Sequence, residues 1–121
     1  MILFPSKKVF SQHEISFADD CRILVEHGAD AIRNTTSLLD CLVSEDPAHK
    51  ADLTGTLTVF LLDAGSDMRK CASLLFTHLN TIKYRLKRID ECIGFHIGNL
   101  PETLEIYRAV AVKRLLVQKD K

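Results

Sequence analysis

At 121 residues, 46% hydrophobic and 26% charged, the chain has the size and composition of one soluble domain, or a small domain with an extra N-terminal segment. Its zero net charge hides a division: residues 1–67 hold 5 basic and 11 acidic side chains, net −6, and residues 68–121 hold 11 and 5, net +6. That asymmetry suits a protein offering one surface to a polyanion, and equally a dipolar pattern that serves only solubility.

The remaining composition argues mainly by exclusion. Cys21, Cys41, Cys71 and Cys92 form no CxxC pair, and no histidine joins them at metal-ligand spacing. Each lies in or beside an apolar helical pattern, so free buried thiols are expected rather than disulfides or a metal site. The residues before Pro5 are too few for a signal-peptide core, and no run approaches the length of a membrane span; the expected location is cytoplasmic. No glycine-rich phosphate loop and no Ser/His/Asp or Cys/His constellation appears, so neither an enzyme nor a cofactor is expected.

Along the chain, Val9, His13 and Ile15 partly alternate with polar residues and suggest a short strand around 8–15. Ser16 is the expected cap of a helix from Phe17 to His27, with Ala18, Cys21, Leu24 and Val25 inward and Gly28 as its stop. A further helix is expected from about Ala29 to Val43 on the spacing of Ala31, Ile32, Leu38, Leu39 and Leu42. Ser44–Ala51 reads as a loop and the best internal boundary. Two parts are therefore expected: a helical segment over residues 1–51 and a second unit over 52–121. Leu53, Leu57, Phe60, Leu61 and Ala64 mark the next helix, ended by Gly65. Ser66 or Asp67 then caps a short helix of about Met68 to Leu75.

The most informative stretch follows. Between Met68 and Ile89 there are six Lys or Arg residues and no Asp or Glu. Ile82, Leu86, Ile89 and Ile93 recur at spacings of 4, 3 and 4, one face of a helix. With about 100° per residue, Asn80, Tyr84 and Lys87 fall opposite that stripe, and Thr81, Lys83 and Arg88 lie beside them. Phe76 and Thr77 supply the turn, Thr77 or His78 the cap, and Gly94 the left-handed exit. Ala72 is small where two crossing helices need close approach. A short helix, a tight turn and a longer helix with a basic outer face read as a DNA-binding helix-turn-helix within an all-α fold. After a loop over 94–99, Asn99 and Glu102 suggest a capping box with Pro101 in the first turn. The last helix, about Leu100 to Gln118, is apolar nearly all round through Ala109–Val112, as a buried or interface helix is; Tyr107 is expected in the core.

The segment Asp52–Leu116 resembles the C-terminal helix-turn-helix domain of the PucR-type regulators, the purine-catabolism and sugar-diacid regulators of bacteria. The matching residues are Thr56-Leu57, Phe60-Leu61, Ala72, Leu75-Phe76, His78, Asn80-Thr81-Ile82, Tyr84-Arg85-Leu86 and Arg88-Ile89. The resemblance implies sequence-specific binding of double-stranded DNA by a homodimer, and a longer regulator whose effector is sensed upstream of this sequence. Where the family carries Arg between His and Asn, this chain has Leu79.

On this reading Lys70, Lys83, Lys87 and Arg88 contact phosphates, which supplies affinity without reading sequence. Asn80, Thr81 and Tyr84 are the candidate base readers, with His78 and Leu79 at the start of the recognition helix of about 78–93. Arg85 lies nearer the core edge, where an ion pair with Asp63 or Asp67 competes with a DNA contact. The alternative is a helical dimerisation or protein-interaction module that has lost DNA binding. Leu79 and the zero net charge favour it, and the Lys83–Arg88 cluster opposes it.

Overall fold

The structure, a computed structural model, describes residues 3–4, 9–44 and 53–119. All the secondary structure among them is helical. The elements are α1 Gln12–Glu26, α2 Ala29–Thr36, a 3-10 turn Ser37–Leu39, α3 Asp40–Ser44, α4 Leu53–Thr58, a π-helical turn Val59–Asp63, α5 Met68–Leu74, α6 Leu79–Ile93 and α7 Glu102–Lys119. The loop expected over Ser44–Ala51 lies almost wholly outside the described residues.

The expected strand does not form where it can be judged. Ser11 Oγ accepts from Glu14 N at 3.1 Å and Glu14 Oε1 accepts from Ser11 N at 3.1 Å, a reciprocal capping box that starts α1 at Gln12. This places His13 and Ile15 in the first turn of α1, about 200° apart round the helix, and leaves Ser16 inside the helix rather than at its cap. Satisfying two otherwise orphaned N–H groups outweighs a weak alternation. Cys21 is buried, and Ala18, Leu24 and Val25 pack beside it on the core as expected. Gly28, at φ 106°, turns the chain into α2.

From Ala29 to Ser44 the chain stays helical, but the 3-10 turn over Ser37–Leu39 tightens it midway. A 3-10 turn advances about 120° per residue instead of about 100°, so it shifts the phase of the inward stripe. Leu39 and Leu42 are buried, whereas Leu38, expected inward, is 40% exposed.

α4 begins as an α-helix and ends in a π turn, closed by Ala64 N to Val59 O at 2.8 Å. The wider turn lets Phe60, Leu61 and Leu62 all be buried in succession. α7 starts at Glu102, two residues later than expected, and Pro101 precedes it. Thr103 secures this end: its N–H donates to Asn99 O at 2.9 Å and its Oγ1 accepts from Gly98 N at 2.9 Å. No side-chain bond joins Asn99 to Glu102 among the described residues, so the expected capping box is not made.

α7 is the axis of the packing. α1, α2 and α4 all lie against it, and α4 also lies on α6, against which α5 packs. Ala109, Val110, Ala111 and Val112 are completely buried, which explains the apolar surround read in that segment. One hydrophobic cluster joins Cys21, Leu39, Leu57, Ile82 and Val110, so α1–α3 share the core of α4–α7. Tyr107 sits at its edge, half-buried, with its ring edge-on to Phe17 at 5.0 Å between centroids. The ion pair of Arg114 and Asp63 ties α7 to the π turn, with Nη1–Oδ1 at 2.9 Å and Nη2–Oδ2 at 2.7 Å. Arg114 Nη1 also donates to Leu3 O at 3.2 Å, which joins Leu3 to α7.

Candidate nucleic-acid interface

α5 is started by Asp67, whose carboxylate accepts from Arg69 N at 2.9 Å and Lys70 N at 3.2 Å. Of the two expected caps, Asp67 rather than Ser66 fills the role. A carboxylate at this position also matches the positive end of the helix dipole. Cys71 and Ala72 form the buried side of α5, and the small Ala72 stands in the helix that packs on α6. Residues 75–78 then reverse the chain. Thr77 N donates to Ala72 O at 3.0 Å and Phe76 N to Ser73 O at 3.2 Å. Phe76 takes φ 54°, a left-handed conformation that costs a non-glycine residue energy, and its ring is 95% exposed. The place of Phe76 in the turn follows from the sequence but its exposure does not, because local spacing does not reveal which way a turn residue faces.

α6 begins after His78, whose extended backbone accepts Thr81 N at 3.0 Å and Ile82 N at 3.3 Å. Its imidazole makes no capping bond, so His78 rather than Thr77 holds the cap position, by backbone alone. Ile82, Leu86 and Ile89 are buried, Ile93 is half-buried, and Gly94 at φ 88° ends the helix. The exit is fixed by Asp90: Oδ1 accepts from Ile97 N at 2.9 Å and Oδ2 lies 2.7 Å from His96 Nδ1.

With that face inward, Asn80, Lys83, Tyr84 and Lys87 are exposed on the other side, Tyr84 to 55%. None of these four side chains bonds to another described residue. Thr81 is half-buried at the edge of this face, and Lys70 and His78 are exposed on α5 and at the turn. Arg88 is half-buried and turned toward Glu91, with Nη1–Oε2 at 3.8 Å, so it is less open to an outside partner than the two lysines. Leu79, the first residue of α6, is half-buried.

Arg85 faces inward. Its Nη1 donates to Thr56 Oγ1 at 3.2 Å, while Asp63 is engaged by Arg114 and Asp67 caps α5, so neither expected carboxylate pairs with it. The same region holds Cys71, whose Sγ lies 3.9 Å from Thr56 O. Burial pushes the Cys71 thiol pKa up, a shift opposed by the nearby Arg85 and reinforced by Asp63. Burial likewise raises Cys21 to about 11 and raises the Tyr107 phenol. All four cysteines are free, Cys21 and Cys71 buried and Cys41 and Cys92 partly so. Among the described residues no group of His, Cys, Asp or Glu is arranged to hold a metal, and no helix is long and apolar enough to cross a membrane.

A short helix capped at its start, a tight turn and a longer helix with a solvent-facing polar side define a helix-turn-helix. Residues 53–112 match the PucR C-terminal helix-turn-helix domain, and through this segment the chain belongs to that family. Over 110 residues it is 28% identical to the DNA-binding transcriptional activator AdeR of Bacillus subtilis (strain 168), an alignment covering 91% of this chain and 26% of that protein. The chain thus spans about a quarter of that relative's length. No solved structure matches it.

Proposed function

We propose that this chain is the sequence-specific DNA-binding part of a transcriptional regulator, with α6 as the recognition helix in the major groove. The observation that carries the reading is the outer face of α6. Asn80, Lys83, Tyr84 and Lys87 share it, stand exposed and have no partner among the described residues. A face that only solvated the fold would need neither the amide nor the phenol beside two lysines.

In this arrangement Lys70, Lys83 and Lys87 meet phosphates, and Arg88 joins them on release from Glu91. Asn80, Thr81 and Tyr84 approach base edges, where an Asn amide bonds adenine N6 and N7 together. The first N–H groups of α6, left without a side-chain cap at His78, also suit a phosphate oxygen. Two copies, with recognition helices about 34 Å apart, would read a palindromic site across one turn of DNA. An effector-sensing region upstream in a longer protein completes the proposal.

Four or five phosphate contacts give a log–log salt slope of roughly −4 for binding to bulk duplex DNA. Lys87→Ala is expected to weaken all sequences alike and to make that slope shallower by about 1, whereas Asn80→Ala blurs preference at one base pair. Gel shifts at several salt concentrations measure both. A Lys87→Ala protein with unchanged affinity and slope would show that DNA does not meet this face. Sedimentation of the free and DNA-bound chain tests the dimer, and a monomer in both states rejects it.

A further inference from the structure

We propose that Leu79 reads the 5-methyl group of a thymine, so that the preferred DNA carries thymine where the first turn of α6 meets the bases. The inference rests on the DNA-binding reading above and adds to it the chemistry of one base step.

Leu79 opens α6, between the exposed His78 and Asn80. Side chains at this end of a recognition helix reach base edges, so its chemistry bears directly on sequence preference. The inward packing of α6 is carried by Ile82, Leu86 and Ile89. Leu79 is half-buried, so part of its side chain rests on the fold and part stays open to an outside partner.

No Lys or Arg stands between Lys70 and Lys83, so the first turn of α6 brings no lysine or arginine of its own to the bases. Discrimination there has to come from hydrogen bonds and apolar contact. Leu79 has no side-chain donor or acceptor and cannot pair with N7, O6, N6 or N4 of any base. The apolar group that a base pair offers in the major groove is the thymine methyl. Covering it removes one methyl from water, which corresponds to a preference of about fourfold over the same pyrimidine without it. Asn80, directly after Leu79, supplies the hydrogen-bonding partner for an adjacent base.

The test starts with duplexes enriched by the full chain from a random-sequence library. Each thymine is then replaced singly by deoxyuridine, which deletes only the methyl, and affinity is followed by fluorescence anisotropy. The wild-type protein should lose about fourfold at one step of the contacted site and little elsewhere. At that step 5-methylcytosine should bind better than cytosine. Leu79→Ala should be indifferent to the uracil there, and Leu79→Arg should move the preference toward guanine, whose O6 and N7 accept a guanidinium. A flat uracil scan with specific binding intact overturns the proposal, as does a sensitive step that persists undiminished in Leu79→Ala. The wild-type scan needs no variant, so misfolding cannot hide its result. A library that yields no enriched sequence overturns the DNA-binding reading itself, and this inference with it.

Discussion

Two sets of cations divide the basic half of this molecule. Arg114 turns inward and spends its guanidinium on Asp63 and Leu3, with both charged side chains largely covered, at 16% and 18% exposure. Lys83 and Lys87 turn outward and bond to no described residue. Arg85 stands between them, donating to Thr56 from the rim of the core. A net charge of +6 over residues 68–121 therefore overstates the positive surface, because part of it holds helices together. What distinguishes the two sets is the presence of an internal acceptor.

The contrast can be broken by mutation. Arg114→Ala leaves the Asp63 carboxylate covered and without its bidentate partner, and a loss of about 3 kcal/mol in unfolding free energy is expected. Urea denaturation measures it, and DNA affinity of the folded fraction should be unchanged. The buried Cys21 thiol gives the next effect. Its pKa of about 11 in the fold exceeds the ordinary 9.0, so the native chain keeps a proton that the unfolded chain releases. The stability this lends is complete below pH 9.0 and is lost as pH rises toward about 11. Wild type and Cys21→Ala should accordingly converge or cross in stability as alkali is added; parallel curves would contradict it. Arg85→Ala removes one hydrogen bond near the surface of the core and should cost about 1 kcal/mol. Lys87→Ala should change stability by no more than about 0.5 kcal/mol, its effect appearing in DNA affinity instead. If Lys87→Ala destabilises the fold as Arg114→Ala does, the division between inner and outer cations is wrong.

Legibility followed the range of the interactions. The stripe Ile82, Leu86 and Ile89, the exit at Gly94 and the opposite placement of Asn80, Tyr84 and Lys87 were readable because each rests on spacing within one helix. The helix-turn-helix was legible for the same reason. Helical spacing carries Arg85 to the core edge but not to Thr56, a partner 29 positions away. The pairing of Asp63 with Arg114 spans 51 positions and carries no local signature. Leu38 faces outward against the helical spacing because a 3-10 turn shifts the phase without any glycine or proline to announce it. Ser11 and Glu14 did announce themselves, at capping-box spacing, but a short alternation through Val9, His13 and Ile15 competed for the same residues.

The π turn at Val59–Asp63 gives the chain a tolerance of length at one point. A π turn accommodates one residue more than the α turn it replaces. Deleting a single residue within Val59–Leu62 would let the segment close as ordinary α-helix, with the side chains beyond the cut still in phase with α4. Asp63 would keep its bearing toward Arg114, and the Gly65–Ser66 reversal would still aim α5. The same deletion inside α6 would turn the residues beyond it by about 100° and separate the apolar stripe from the outer face. Related sequences should therefore tolerate the loss of one residue in the π turn more readily than in α6.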